Sequence, residues 1–155
     1  MSRRAFISIA IGLTAATLAH PALASNYGTK DEALALARKA VAHYKAVGKD
    51  KALADFNNKS GAFVDRDLYV FVFDGKGTML SHGANEKLIG RDLMQLKDAD
   101  GKVFVKDMMD VAAKQGKGWV DYKWPNPVTK QIEAKSTYVE KLDDVVVGVG
   151  VYKTN

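Results

Sequence analysis

Two stretches of this chain leave a folding polypeptide little choice. Leu68-Tyr69-Val70-Phe71-Val72-Phe73 and Val145–Tyr152 are built, Leu68 apart, from β-branched, aromatic and glycine residues and present no polar face. A strand that faces water on one side alternates apolar and polar residues. A strand without that alternation lies centrally in a sheet and is covered on both faces. The rest of the chain must therefore supply two covers.

The remaining pattern supplies them. Thr29-Lys30-Asp31-Glu32 reads as a capping box, and the helix it starts runs through Ala33 to about Val47 and stops at Gly48. Leu34, Ala37, Val41 and Tyr44 recur at the spacing of one buried stripe. A short helix over 51–57 points Leu53 and Phe56 inward. Asp74-Gly75-Lys76-Gly77 is turn chemistry, from which 78–81 returns as an antiparallel partner. Residues 84–101 are mixed, and 102–115 reads as a helix with Phe104, Met108, Val111 and Ala112 on one side. Strands follow over 119–124, 134–141 and Val145–Tyr152, joined by turns too short for parallel pairing. The expectation is one α+β domain: an antiparallel sheet with the N-terminal helix on one face and the 84–115 segment on the other. Gly148 and Gly150 share a strand face and permit close approach of a helix or ligand to the backbone.

The start of the chain has a different character. Arg3 and Arg4 precede an uncharged apolar stretch over 5–19, then Pro21 and the small-x-small triplet Ala22-Leu23-Ala24. This is the pattern of a signal peptide, too short and too rich in Ala, Thr and Gly to cross a bilayer core of roughly 30 Å comfortably. Residues 1–24 are expected to be removed, leaving a domain over 25–155 in the periplasm. A retained anchor is the alternative, and only that reading places the chain in the membrane. Ser2-Arg3-Arg4-Ala5-Phe6-Ile7 also resembles a twin-arginine signal, so the general and twin-arginine export routes both stay open. Cleavage takes away two arginines and no acid, which lowers the formal charge from +5 to +3.

That charge is scattered among acidic residues, so nucleic acid is not an expected partner. With no cysteine in the chain, thiolate metal sites, iron–sulfur clusters, c-type haem and cysteine nucleophiles are excluded. There is no Gly-x-Ser-x-Gly elbow, and Ser81 beside His82 points to the opposite face of its strand. Asp98-x-Asp100-Gly101 imitates the start of a calcium loop without its later carboxylates and reads as a polar turn. The glycine pairs at 75 and 77 and at 116 and 118 continue into no phosphate loop. No enzyme, catalytic residue, metal or cofactor is expected. What remains is the segment 118–127, where alternation sets Val120, Tyr122 and Trp124 on one face and Trp119, Asp121 and Lys123 on the other. Tyr122 and Trp124 suit either a small-molecule pocket or a plain cross-strand aromatic ladder. His82 and Lys135 are the natural polar complements of a pocket.

These phrases, in this order, resemble the single Cache domains of the second type, PAS-like extracytoplasmic sensor modules. The resemblance is carried by Asp67-Leu68-Tyr69-Val70-Phe71-Val72-Phe73-Asp74, His82-Gly83-Ala84-Asn85, Leu88-Ile89-Gly90 and Asp98-Ala99-Asp100-Gly101-Lys102. Gly118-Trp119-Val120-Asp121-Tyr122-Lys123-Trp124-Pro125, Lys135-Ser136-Thr137-Tyr138-Val139 and Gly148-Val149-Gly150-Val151-Tyr152 complete it. It implies a PAS-like antiparallel sheet of about five strands, a long N-terminal helix across one face and a ligand pocket on the other. It further implies a sensor for a small molecule, often a short-chain organic acid, feeding a chemoreceptor, histidine kinase or cyclase. This chain departs from that plan after Tyr152, where only Lys153-Thr154-Asn155 follow, so the expectation is a free-standing binder that docks on a separate membrane receptor or kinase. On the family plan, Tyr122 and Trp124 become pocket wall and hydroxyl donor, and His82 and Lys135 the carboxylate partners. Tyr138 is a further donor. It stands three residues from Lys135, so on a regular strand the two face opposite ways. The competing reading is a periplasmic accessory subunit whose pocket is filled by its own side chains and takes no ligand.

Overall fold

The computed structural model describes residues 26–153, so the export signal expected at 1–24 lies outside the described residues. Helix α1 (Lys30–Val47) opens on the expected capping box: Glu32 N donates to the Thr29 hydroxyl and Thr29 N to the Glu32 carboxylate. Gly48, at φ 84°, ends α1 and starts α2 (Lys49–Phe56). The short β1 (Val64–Asp65) leads into β2 (Leu68–Asp74), and β3 (Met79–His82) folds back on it. A 3-10 turn over Glu86–Leu88 and an irregular stretch precede α3 (Phe104–Gln115). Strands β4 (Lys117–Pro125), β5 (Ile132–Leu142) and β6 (Val145–Tyr152) close the chain.

All pairs are antiparallel, in the order β1-β2-β6-β5-β4, with β3 also on β2. The two strands without a polar face are the central ones. Every residue of β6 is buried, as are the first six of β2. On one face α1 and α2 seal an aliphatic core with Val70, Val72, Val147 and Val149. On the other, α3 and the 84–103 segment cover Tyr69, Phe71, Phe73, Tyr122 and Tyr152. The buried side of α1 is wider than the expected stripe, taking in Ala33, Leu36 and Ala40 while Leu34 is only half-buried. On α3 the inward position is Val105, and Val111 is half-buried. No helix among the described residues is long and apolar enough to cross a membrane.

Gly148 and Gly150 have the close approach their position suggested, and both approaching groups come from the sheet's own face. A Cβ at Gly148 would overlap the Phe71 ring, and one at Gly150 would overlap the Lys135 stem and the Thr137 hydroxyl. Gly148→Ala is expected to lower the free energy of unfolding in a urea titration by about 1–3 kcal/mol, the usual cost of overpacking. Gly75→Ala, whose Cβ would meet only Asp144 O at 3.7 Å, is expected to stay within about 0.5 kcal/mol of wild type.

Candidate functional site

Register, more than residue type, builds the candidate site. Tyr122 of β4, Lys135 of β5 and Tyr152 of β6 form one cross-strand row, and Thr137 and Gly150 lie in the next. Because Gly150 has no side chain, the Lys135 stem can lie along the sheet and bring its amine between two tyrosines. Lys135 Nζ donates to Tyr69 Oη at 2.7 Å and to Tyr152 Oη at 3.3 Å. It stands 4.0 and 4.5 Å from the centres of the same two rings. Tyr152 Oη donates onward to the Pro125 carbonyl at 2.7 Å. Lys135 is 1% exposed, and among the described residues no carboxylate lies within salt-bridge distance of its amine.

Burial controls the electrostatics here. It pushes the Lys135 amine well below the ordinary lysine range, a loss that the buried Asp67 carboxylate only partly opposes. It pushes the phenols of Tyr69, Tyr122 and Tyr152 upward, so all three stay protonated. His82 is driven down to about 3, first by burial and then by Lys135. Its geometry agrees: Nδ1 accepts from Ala84 N at 3.2 Å and Asn85 N at 2.9 Å, so the neutral ring carries its proton on Nε2. Asp67 is itself buried. Its Oδ1 accepts from Gly28 N at 2.7 Å, its Oδ2 has no hydrogen-bond partner, and burial raises its carboxyl.

In front of this cluster lies a cavity of about 20 Å³ walled by Tyr69, Phe71, His82, Leu93, Tyr122 and Trp124, among other apolar residues. Phe104 stacks on Tyr122 with ring centres 4.3 Å apart and closes one side. The Tyr122 hydroxyl bonds Thr137 Oγ1 at 3.0 Å. Larger grooves of about 450 Å³ occur on the surface, but the one beside α3 is rimmed by solvated charges of both signs, including Asp74, Lys76, Lys141 and Asp144.

The structure thus brings together four of the five residues singled out in the sequence, His82, Tyr122, Trp124 and Lys135. It does not bring Tyr138. The β5 pairing runs without a bulge, so Tyr138 faces α1, pairing with Trp119 and Val149 and donating to Glu140 at 2.7 Å. Placing it beside Lys135 in a pocket is corrected accordingly. Sequence reasoning missed Tyr69 and Tyr152, which read as members of apolar runs. Their hydroxyls were the available signal, since a buried phenol needs a partner. Asp98 is a polar turn: Oδ1 accepts from Asp100 N and Lys102 N, and Oδ2 accepts from Lys123 N, tying the segment before α3 to β4.

Comparison with known proteins follows the same lines. The family model for single Cache domain 2 matches residues 13–155. The chain is 36% identical over 90 residues to the methyl-accepting chemotaxis protein McpP of Pseudomonas putida, which covers 57% of this chain and 16% of that protein. It is 37% identical over 89 residues to the sensor histidine kinase MctS of Rhizobium johnstonii, covering 56% and 19%. The match therefore spans less than a fifth of either relative's length. A solved structure described as the basis for carboxylic acid recognition by a Cache chemosensory domain superposes with a TM-score of 0.62 at 25% identity, covering 80% of this chain and 88% of that one.

The cost of burying the Lys135 amine is open to a direct test. The unfolded chain holds the extra proton between the depressed folded value and the ordinary lysine value of about 10.4. The cost of Lys135 is therefore absent above that range and grows as pH falls through it. Lys135→Met is expected to raise the unfolding free energy by about 1–3 kcal/mol near neutral pH. The gain over wild type should shrink as denaturation is repeated up to about pH 10.

Proposed function

This chain belongs to the single Cache domain 2 family, and we propose that it is an exported periplasmic sensor module that binds a short-chain carboxylate at Lys135. One observation carries the reading: a fully buried amine that faces no carboxylate at contact distance and is held by two phenols, of which Tyr69 also walls the aromatic cavity. An amine in that position costs stability unless an anion joins it. A carboxylate supplies the charge, the phenol of Tyr69 and the neutral His82 ring supply further donors, and Phe71, Tyr122 and Trp124 accept an alkyl end. The solved relative described for carboxylic acid recognition supports the ligand class. The chemotaxis and histidine kinase relatives support a membrane receptor or kinase as the element that reads the bound state. Catalysis has no part in this reading.

A cavity of about 20 Å³ has room for one water. In the proposed reading a ligand displaces the side chains of Leu88, Leu93 and Leu96, which reach the cavity from the 3-10 turn and the irregular stretch before α3. The same small volume favours the second reading, an accessory module whose pocket is filled by its own side chains.

The two part in a thermal-shift series of acetate, propionate and larger organic acids, with amino acids and amines as contrast. A carboxylate at about 100 times its Kd is expected to stabilise the wild type by roughly 2.7 kcal/mol. Lys135→Gln is expected to abolish that shift, and Tyr122→Phe and Trp124→Ala to shrink it, while Tyr138→Phe leaves it unchanged. A wild type that no member of the panel moves, but that retains a stable partner in periplasmic pull-downs, establishes the accessory reading instead.

A further inference from the structure

We infer, on the basis of the carboxylate reading above, that the ligand enters as an anion together with one proton, which Lys135 Nζ takes up, so that binding creates the ion pair. The balance is simple: a carboxylate and a neutral amine, plus one proton from solvent, give a carboxylate against an ammonium, with no other bond made or broken. A simple carboxylate is ionised at neutral pH, so the proton does not arrive on the ligand.

The groups around Nζ are what keep the unliganded amine neutral. From β2 comes Tyr69, whose phenol touches it, and from the turn before β2 comes Asp67, whose Oδ1 is engaged by Gly28 N and which makes no contact with the amine. From β3 comes His82, whose Nδ1 accepts two backbone amides and so cannot take a proton in this arrangement. From β4 comes Tyr122, bonded to Thr137, and from β6 Tyr152, whose own proton goes to the Pro125 carbonyl. Glu133, two residues along the same β5 face, is held by Tyr27, Asn126 and Thr129. The cavity residues from α3 and the stretch before it are apolar: Leu88, Leu93, Leu96, Phe104, Val105 and Met108. The two tyrosine rings beside Nζ return less to a cation than its lost hydration costs. Burial holds the amine well below its usual range, in keeping with this geometry. A ligand carboxylate is the contact that reverses the preference.

Calorimetric titration of the described domain with acetate and propionate, in phosphate and in Tris, measures the proton count from the buffers' different heats of ionisation. About one proton taken up per carboxylate is expected near pH 8, with Kd weakening about tenfold per pH unit from about pH 7 to about pH 9. Binding with no proton uptake and a Kd constant over that range overturns the inference and leaves the carboxylate reading standing. Binding of neither acid to the wild type overturns both. Two variants assign the proton. Asp67→Asn is expected to keep the uptake, and binding without uptake in that variant would move the proton to Asp67. Lys135→Arg, whose guanidinium stays charged, is expected to bind without uptake. Should it fail to fold, the wild-type titration decides the matter by itself.

Discussion

Gly148 and Gly150 of β6 leave the sheet surface bare where the Phe71 ring and the Lys135 stem cross it, and the pocket side of the molecule is arranged around those two gaps. Filling the first would lift Phe71 from the sheet and with it the ring stack that includes His82. Filling the second would displace the amine from between Tyr69 and Tyr152. The strand that cements the sheet centre, pairing with β2 on one edge and β5 on the other, is therefore also the one that shapes the site.

The two faces of the sheet do different physical work. Against α1 and α2 the contacts are largely aliphatic, and the polar atoms of that core are tyrosine hydroxyls at its margin. Against α3 the surface is aromatic and carries a buried amine, three phenols and a neutral imidazole. Aromatic bodies exclude water and their polar tips satisfy one another, which lets the amine exist there at all. The arrangement is tolerated, not favoured. A hydrophobic residue at position 135 would pack with less cost, which is why the proposed carboxylate contact is placed at this lysine.

Much of this was legible in the sequence, and the reasons are local. Thr29 and Glu32 cap α1 through contacts three residues apart, and the apolar runs at 68–73 and 145–152 could only be central strands. The period-two rule also held across β4, setting Tyr122 and Trp124 against Trp119. The stretch at 84–103 was illegible because it follows no period, and its leucines point inward through loop bonds such as Gly90 N to Met79 O and Leu93 N to Gly77 O. Tyr69 and Tyr152 escaped notice because a tyrosine in an apolar strand looks like any other aromatic until its hydroxyl's partner is known.

By itself the sequence determined the two-faced antiparallel sheet and the covering helices, because periodicity, caps and turn residues act over a few positions and are written in order; the family followed from the resemblance of whole phrases in their order. The choice between Lys135 and Tyr138 was different. Sequence spacing showed that they face opposite ways; only the unbroken β4–β5–β6 register decided which face each one takes. The same holds for Asp67, His82 and Lys135, which come from the β1–β2 turn, β3 and β5 and share no local pattern. Their charges depend on burial, and burial is a property of the closed tertiary structure, since no strand can desolvate an amine until its neighbours have covered it.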